Sequence, residues 1–318
     1  VSYRTCDENG QNWETKECRN YTVVDGSTTA WSDGWYVVNR KVTIDELVTV
    51  TGNVRLILTD GTTLTVDGGI NVAKGNSFSV YAQSVGENTG RLTANSGGWD
   101  AGIGGGNGKA AGTITIHGGE VTANGSNGGA GIGGGSGAGF DTSGGTITIH
   151  GGSVIATGGD YGAGIGGGNG GSGGKITIHG GSVTATGGDS AAGIGGGCRG
   201  SGFNITISGG SVTATGGDNG AGIGGGFQAA DSGSFATGAD GHALIVASSI
   251  SDTSQRDSWS GIIFEGDTGK VYKDQTLQEN IEIPSGKTLT VPKNTTLTVK
   301  DGVTLTNNGK IINNGKIT

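Results

Sequence analysis

The sequence predicts an all-β chain wound as a right-handed parallel β-helix, with about 29 residues per coil, a capping N-terminal segment and a C-terminal β extension. Three observations carry this prediction. The motif AGIGGG recurs at spacings of 29, 33, 29 and 29 residues, centred on Ile103, Ile132, Ile165, Ile194 and Ile223. Short alternating runs follow the first four copies. Glycine supplies 73 of 318 residues and proline only 2, a composition unlike collagen or disordered chains.

Each repeat unit contains three short extended runs separated by glycine-rich corners. The motif itself provides the first run, an ITI segment such as Ile114–Ile116 provides the second, and a segment such as Val121–Ala123 provides the third. One unit is longer by four residues in the corner between Ser136 and Gly145, where a loop tolerates insertion. Backbone pairing between coils would replace the core that glycine cannot supply.

The flanking segments alternate with larger side chains and extend the same pattern. Alternation runs from Val42 to Tyr81 and resumes at Ile281. We therefore divide the chain into an N-terminal cap (1–38), the parallel β-helix (39–270) and a C-terminal solenoid continuation or small β subdomain (271–318).

Charge and cysteine content limit the classes of partner and compartment. The net charge of −8 disfavours nucleic acid and anionic membranes, and no apolar run approaches the roughly 18 residues of a membrane helix. Cys6 and Cys18 bracket a short polar loop, which predicts a disulfide, the alternative being two unrelated free thiols; Cys198 is predicted free. The chain begins at Val1 and stops in mid-pattern, so we expect a piece of a longer exported protein.

Outward positions of the ITI runs stack into columns of threonine and histidine. His117, His150 and His179 form one such column, which is either a flat recognition surface or an ordinary covering of the sheet. Stacked imidazoles could approach one metal ion, but no further ligand has suitable spacing in the same strand. Structural stacking is therefore favoured over metal binding.

The corner before each AGIGGG motif carries two further columns. Asp160, Asp189 and Asp218 occupy one, where the carboxylates either share calcium or cap their own backbone. The next position varies between coils and is partly aromatic, as are two other corners, a pattern that favours ligand contact on a rigid scaffold. The predicted contact residues are Trp99, Tyr161, Ser190, Asn219, Phe140, Asp141 and Phe203.

The motifs AGIGGG and ITIHGGSVTATGGD, with the flanking WSDGWYVVNRKVTIDELVTVTGNVRLIL and SGKTLTVPKNTTLTV, resemble repeats of large exported proteins of gut Firmicutes. Such proteins are described as carbohydrate-binding or right-handed β-helix proteins. The resemblance covers nearly the whole chain. It implies surface display and binding of a glycan or a host protein, with immunoglobulin variable domains among the candidates.

These observations predict a non-enzymatic extracellular binding or adhesion module, attached to a cell surface through a segment outside this chain. The alternative is a β-helix polysaccharide lyase or hydrolase, because HGG is similar to the GHG of polygalacturonases. That alternative lacks the clustered aspartates and basic clamp such enzymes need. We expect a monomer with no cofactor other than calcium, no nucleic-acid partner and no membrane insertion by this segment.

Overall fold

The computed structural model describes residues 1–137 and 141–318, most of which wind into coils around stacked, buried side chains. Each coil of the main body adds one short strand to each of three long parallel sheets. We call these sheet 1, sheet 2 and sheet 3, in the order in which a coil visits them. The predicted parallel β-helix is confirmed.

The strand bounds of the three sheets follow the repeat. Sheet 1 comprises Ala30–Trp31, Val48–Val50, Ile70–Asn71, Ile103–Gly104, Ile132–Gly133, Ile165–Gly166, Ile194–Gly195 and Ile223–Gly224. Sheet 2 comprises Thr22–Val23, Gly34–Val38, Asn53–Leu58, Ser77–Ala82, Thr113–Ile116, Thr146–Ile149, Lys175–Ile178, Asn204–Ile207 and Ser234–Thr237. Sheet 3 comprises Val42–Ile44, Thr63–Val66, Arg91–Asn95, Glu120–Asn124, Ser153–Thr157, Ser182–Thr186, Ser211–Thr215, Leu244–Ala247, Gly261–Glu265, Thr268–Tyr272, Thr288–Val291 and Lys310–Asn313.

Inward side chains stack in register from coil to coil. Ile114 pairs with Ile147, which pairs with Ile176 and then Ile205, and each is at most 1% exposed. The longer corner between Ser136 and Gly145 leaves this register unchanged. Each buried isoleucine contributes roughly 1.5–3 kcal/mol relative to an exposed one, so the ladder supplies a core despite the glycine content.

Glycine is required at the second position of the five sheet 1 strands formed by the AGIGGG motif. Gly133 has a φ of +139° and Gly166 a φ of +135°, in the region that disfavours side chains. A Cβ atom at Gly133 would overlap the carbonyl oxygen of Gly166 in the next coil. Neighbouring coils therefore meet backbone against backbone along sheet 1, and the AGIGGG segments are buried except for Gly226 at the end of the fifth copy.

The solenoid begins earlier than the predicted boundary at residue 39. Ala30–Trp31 and Gly34–Val38 already pair in parallel with Val48–Val50 and Asn53–Leu58 of the next coil. Trp31 lies inside the first coil at 1% exposure and stacks on Tyr36. Trp31 and Tyr36, within the segment predicted to form a cap, are thus part of the solenoid core.

Residues 1–18 lie across the flank of sheet 2 instead of over its end. Ser2–Thr5 and Glu14–Glu17 form an antiparallel pair, which with its connecting loop we call the N-terminal hairpin. Tyr3 anchors the hairpin, with its ring centroid 4.7 Å from that of Trp35 and 5.1 Å from that of Tyr81. Part of the outer surface of sheet 2 is therefore covered by residues that the sequence predicts to cap the N-terminal end of the solenoid.

The hairpin register excludes the predicted disulfide between Cys6 and Cys18. Cys18 donates its backbone N–H to Val1 across the ladder, whereas Cys6 lies beyond the Thr5 end of the same ladder. Five extended residues separate the two positions by roughly 17 Å. Cα atoms in a disulfide lie within about 7 Å of each other. The prediction is wrong, and all three cysteines are free.

Sheet 3 reverses direction near the C-terminal end. Gly261–Glu265 and Thr268–Tyr272 pair antiparallel, and Thr288–Val291 and Lys310–Asn313 then follow in parallel with Thr268–Tyr272. The boundary predicted near residue 270 falls within this turned-back strand. Two small parallel sheets complete the C-terminal coils: Gln275–Leu277, Thr296–Val299 and Lys316–Ile317, and Ile281–Ile283 with Leu305–Asn307.

The strand Gly261–Glu265 separates two cores. Ile263 packs into the main core, whereas Ile262 and Phe264 pack into a second core made by the C-terminal coils. These coils are smaller, since Thr288 pairs with Lys310 only 22 residues later. In the described residues the one helix is the 3-10 turn Arg256–Ser258, and no helix there is long and apolar enough to cross a membrane.

Candidate functional site

The two glycine-rich corners that flank sheet 1 form one surface, which we call the corner surface. Backbone hydrogen bonds join the corners: Ser136 donates to the carbonyl of Trp99 at 2.7 Å, and Cys198 donates to that of Tyr161 at 2.9 Å. These bonds link each coil to the next, so the corners are held rigidly above the buried AGIGGG segments.

Exposed aromatic rings concentrate on the corner surface. In the described part of the chain, five aromatic side chains are among the exposed large hydrophobic residues, and all but Tyr21 lie in these corners. The four are Trp99 (55% exposed), Tyr161 (45%), Phe203 (51%) and Phe227 (39%). Large apolar rings left in water on a rigid surface are typical of ligand contacts.

Trp99 and Tyr161 occupy equivalent positions two coils apart. Each coil advances by one strand spacing, so their backbones are separated by roughly 10 Å along the solenoid. The intervening coil has the buried Gly128 at this position, where an added Cβ would meet the side chains of Ser136 and Asn169. The predicted variable column is therefore exposed at its two aromatic positions.

Phe203 has a positive φ at a position that is occupied by glycine in neighbouring coils. Its φ is +64°, and the equivalent positions Gly145, Gly174 and Gly233 have φ values of +72°, +74° and +74°. A bulky residue in this region costs about 1 kcal/mol or more, and such strain is concentrated at functional sites. Ser190, also predicted from the variable column, has a φ of +64°.

The acidic residues of the corners do not form a preformed cation site. Asp160, Asp189 and Asp218 are exposed, and they are absent from the one group of three ligand side chains whose atoms lie within 4.8 Å of one another in the described residues. Asp141 instead pairs with Lys74 at 3.1 Å. Its pKa is lowered by a hydrogen bond from Ser143 first and by Lys74 second.

The remaining residues of the corners differ in whether the sequence predicted them and in whether the structure describes them. Asn219 is exposed beside Asp218, with no anchoring side-chain hydrogen bond among the described residues. Phe140 lies outside the described residues. Phe227 was missed by sequence reasoning, although its backbone N–H donates to the carbonyl of Ser190 at 2.7 Å and so brings it to the same surface.

The histidines of sheet 2 form a continuous aromatic stack on its outer side. We call Tyr81, His117, His150 and His179 the histidine column. Neighbouring ring centroids lie 4.4, 4.9 and 5.2 Å apart, with interplanar angles of 9°, 20° and 8°. The column ends where His179 Nδ1 hydrogen-bonds Ser208 Oγ at 3.1 Å. The predicted stacking is present.

The histidine column is not an open recognition surface, because the N-terminal hairpin covers it. His150 is only 7% exposed, and Cys6 Sγ of the hairpin lies 3.8 Å from His117 Nδ1. A Cβ added to Gly10 at the hairpin tip would lie 2.5 Å from His179 Cβ. Of the two alternatives for the histidines, the flat exposed recognition surface is therefore wrong, because the hairpin packs over these outward side chains.

Burial keeps these imidazoles neutral. Desolvation, and secondly the neighbouring imidazole of the column, lower the pKa of His117 and of His150 to about 4. The pKa of His179 is also lowered, mainly by desolvation. Desolvation, and secondly the charge of Asp7, raise the pKa of the Cys6 thiol to about 11. Neutral rings can stack closely and keep a lone pair for a donor or a metal.

An open cleft of about 490 Å³ lies at the end of the histidine column. The hairpin tip forms one wall, and the loop around His242 forms the other. Its lining residues are Asn9, Gly10, Gln11, His179, Thr206, Ser208, Gly238, Asp240, Gly241 and His242. Asp240 is the one carboxylate in this lining, whereas glycosidic hydrolysis uses a pair.

Comparison with known proteins identifies the repeat. The family model described as "Beta helix repeat" matches residues 88–107, 114–136, 147–169, 176–198 and 205–227. No curated protein and no solved structure matches the chain. The five matched segments lie in the coils that carry the corner surface and the three histidines of the histidine column, whereas Tyr81 lies outside them. The match is to a β-helix repeat and agrees with the coils of the structure.

Proposed function

We propose that this chain is a non-enzymatic binding module whose corner surface holds an extended glycan. The observation that carries the proposal is the pair Trp99 and Tyr161, two exposed rings at equivalent positions two coils apart on a rigid edge. Amphipathic aromatic rings contribute large contact area at small entropic cost. Their separation is comparable to the repeat of a disaccharide in an extended polysaccharide.

The neighbourhood of the rings favours a polar, uncharged ligand. Ser190 and Asn219 continue the variable column as small polar groups, and the polar side chains of Ser136 and Asn169 lie beside Gly128 of the intervening coil. The net charge of −8 opposes anionic polymers. An unbroken repetitive surface suits an extended chain molecule, which can register with the coils.

A polysaccharide lyase or hydrolase is the competing function. It requires converging carboxylates with a basic residue in one cleft. The cleft at the end of the histidine column contributes Asp240 with two histidines, a set that supports binding better than glycosidic cleavage. The fold itself is compatible with either function.

The proposed setting is the outside of a bacterial cell, with the chain displayed as part of a larger surface protein and acting as a monomer. The resemblance to exported proteins of gut Firmicutes supports this setting. With all three cysteines free, disulfide bonding adds no support. A host protein such as immunoglobulin is the alternative ligand for the same surface.

A glycan array and an immunoglobulin panel, probed with the same protein samples, test the proposal. We expect a glycan signal from the wild type that Tyr161→Ala lowers strongly, because an aromatic hot spot contributes about 2 kcal/mol or more. Ile155→Ala is the matched control, since Ile155 is 44% exposed on the outer side of sheet 3.

Three outcomes would contradict glycan binding on the corner surface. Binding only to immunoglobulin would identify a protein ligand. An equal loss of glycan signal in Tyr161→Ala and Ile155→Ala would show that the contact extends to sheet 3. Release of shortened oligosaccharides from a bound polysaccharide would support the enzyme.

A further inference from the structure

Three ligand side chains from distant parts of the sequence meet beneath the N-terminal hairpin. Cys6, His117 and His150 each bring a ligand atom within 4.8 Å of the others. Cys6 comes from the hairpin, and the two histidines come from successive coils of sheet 2. The Cys6 Sγ and His117 Nδ1 atoms are 3.8 Å apart.

His150 supplies an independent indication of a missing ligand. Its side chain is 7% exposed, and its Nδ1 atom is buried without a hydrogen-bond partner in the described residues. An unpaired buried polar atom costs about 1–3 kcal/mol, so native structures usually satisfy such atoms. The stacked rings on both sides hold His150 in place, which prevents it from turning toward water.

The donor set fits a soft transition metal. In a tetrahedral Zn²⁺ site, bonds of 2.3 Å to sulfur and about 2.0–2.1 Å to nitrogen place these ligand atoms about 3.6 Å apart. The Cys6 and His117 atoms are already near this separation. Thiolate and imidazole select Zn²⁺ over Ca²⁺, which takes oxygen ligands.

We propose that Cys6, His117 and His150 bind one Zn²⁺ ion that fastens the N-terminal hairpin to sheet 2. On binding, the Cys6 thiol releases its proton to solvent and forms a Zn–S bond, while neutral His117 and His150 donate ring lone pairs. Three protein ligands leave the fourth tetrahedral position to water. The carboxylate of Asp7 adds negative charge beside the site.

Neutral histidines favour this reaction, because no proton must leave the imidazoles. Burial holds the pKa values of His117 and His150 at about 4. The desolvated thiol is the group whose proton the metal must displace. Sequence reasoning found the histidines but not the third ligand, since Cys6 is 111 residues from His117 in the chain.

Titration of the full chain with Zn²⁺ and Co²⁺ after chelator treatment tests the proposal. We expect one equivalent of tightly bound Zn²⁺, and a thiolate-to-Co²⁺ charge-transfer band in the Co²⁺ form. Cys6→Ser should abolish the band and weaken Zn²⁺ binding by about 100-fold or more, since even loss of an outer-shell partner costs 10–100-fold. Cys198→Ser is the matched control, because Cys198 is also a free cysteine and is not part of the three-ligand group.

Hydrogen exchange provides a second readout, which follows the hairpin itself and not the metal. Zn²⁺ should increase amide protection in Ser2–Thr5 and Glu14–Glu17 of the wild type and leave the hairpin of Cys6→Ser unchanged. Absence of stoichiometric binding, or the same affinity in Cys6→Ser as in the wild type, would overturn the proposal. Loss of the band in Cys198→Ser with retention in Cys6→Ser would also overturn it.

Discussion

The histidine column and the corner surface are both rows of side chains that point away from the core, yet only one of them is open. His150 is 7% exposed under the N-terminal hairpin, whereas Tyr161 is 45% exposed. Strand alternation determines that a side chain points outward. Its exposure depends also on whether another segment packs over it. A row of outward-pointing side chains can therefore be either an exposed recognition surface or a buried contact between two segments.

The largest effect is expected beneath the corner surface, where coils touch through glycine. Gly166→Ala should lower the free energy of unfolding by more than about 3 kcal/mol, because the new Cβ meets the carbonyl of Gly195 at a φ that disfavours side chains. Gly98→Ala, in the open corner with nothing within 4 Å, should change it by less than about 0.5 kcal/mol. Chemical denaturation of both variants measures the contrast, and equal losses would contradict it.

The next effect concerns the cover over the histidine column. Tyr3→Ala removes a ring that is 9% exposed between Trp35 and Tyr81, which should cost the hairpin about 3 kcal/mol of docking free energy. Amide exchange in Ser2–Thr5 and Glu14–Glu17 should rise while the coils stay protected. Tyr21→Ala, at 38% exposure, is the control. Unchanged amide protection of the hairpin in Tyr3→Ala would mean that residues other than Tyr3 hold the hairpin on sheet 2.

A smaller effect, of opposite sign, is expected at Phe203. Phe203→Gly relieves a positive φ but loosens the unfolded chain, so we expect a net stabilisation of about 0.5–1 kcal/mol together with weaker ligand binding. Phe227→Gly should show no such gain, because Phe227 is not among the positive-φ residues. Denaturation and binding assays on both variants decide the matter. A destabilised Phe203→Gly protein with unchanged binding would indicate that the ring shields the backbone and has no binding role.

The smallest effect is expected for the ion pair at the edge of the corner surface. Lys74→Ala removes a 3.1 Å contact to Asp141 between side chains that are 78% and 57% exposed. Exposed pairs contribute at most about 1 kcal/mol, and less at high salt. The unfolding midpoint in high salt should be the same for the variant and the wild type. A large loss would show that this corner depends on the pair.

The repeat made the coils predictable from sequence. Equivalent residues such as Ile147 and Ile176 differ by one period, and period-2 alternation fixes which side chains point inward. For the same reason the exposure of Trp99 and Tyr161 followed from corner positions that break an otherwise regular repeat. These inferences needed only local pattern and period.

Contacts without a period could not be predicted in this way. Cys6 meets His117 across 111 residues, and nothing in the hairpin sequence repeats in the coil that it covers. The antiparallel direction of Thr268–Tyr272 could not be predicted either, because side chains alternate between the two faces of a sheet in the same way whichever direction a strand runs. The strained φ of Phe203 could have been suspected, since its aligned positions are glycines.

Labelling of histidines with diethyl pyrocarbonate, read by mass spectrometry, tests most directly whether the N-terminal hairpin buries the outward-pointing side chains of the histidine column. His242 is exposed and His150 is buried, and chelator in the sample prevents any bound ion from shielding a ring. His150 remains neutral at pH 7.5, so slow labelling would not be due to protonation. We predict rapid labelling of His242, slow labelling of His150 in the wild type, and faster labelling of His150 in Tyr3→Ala. Equal rates at His150 and His242 in the wild type would contradict the account.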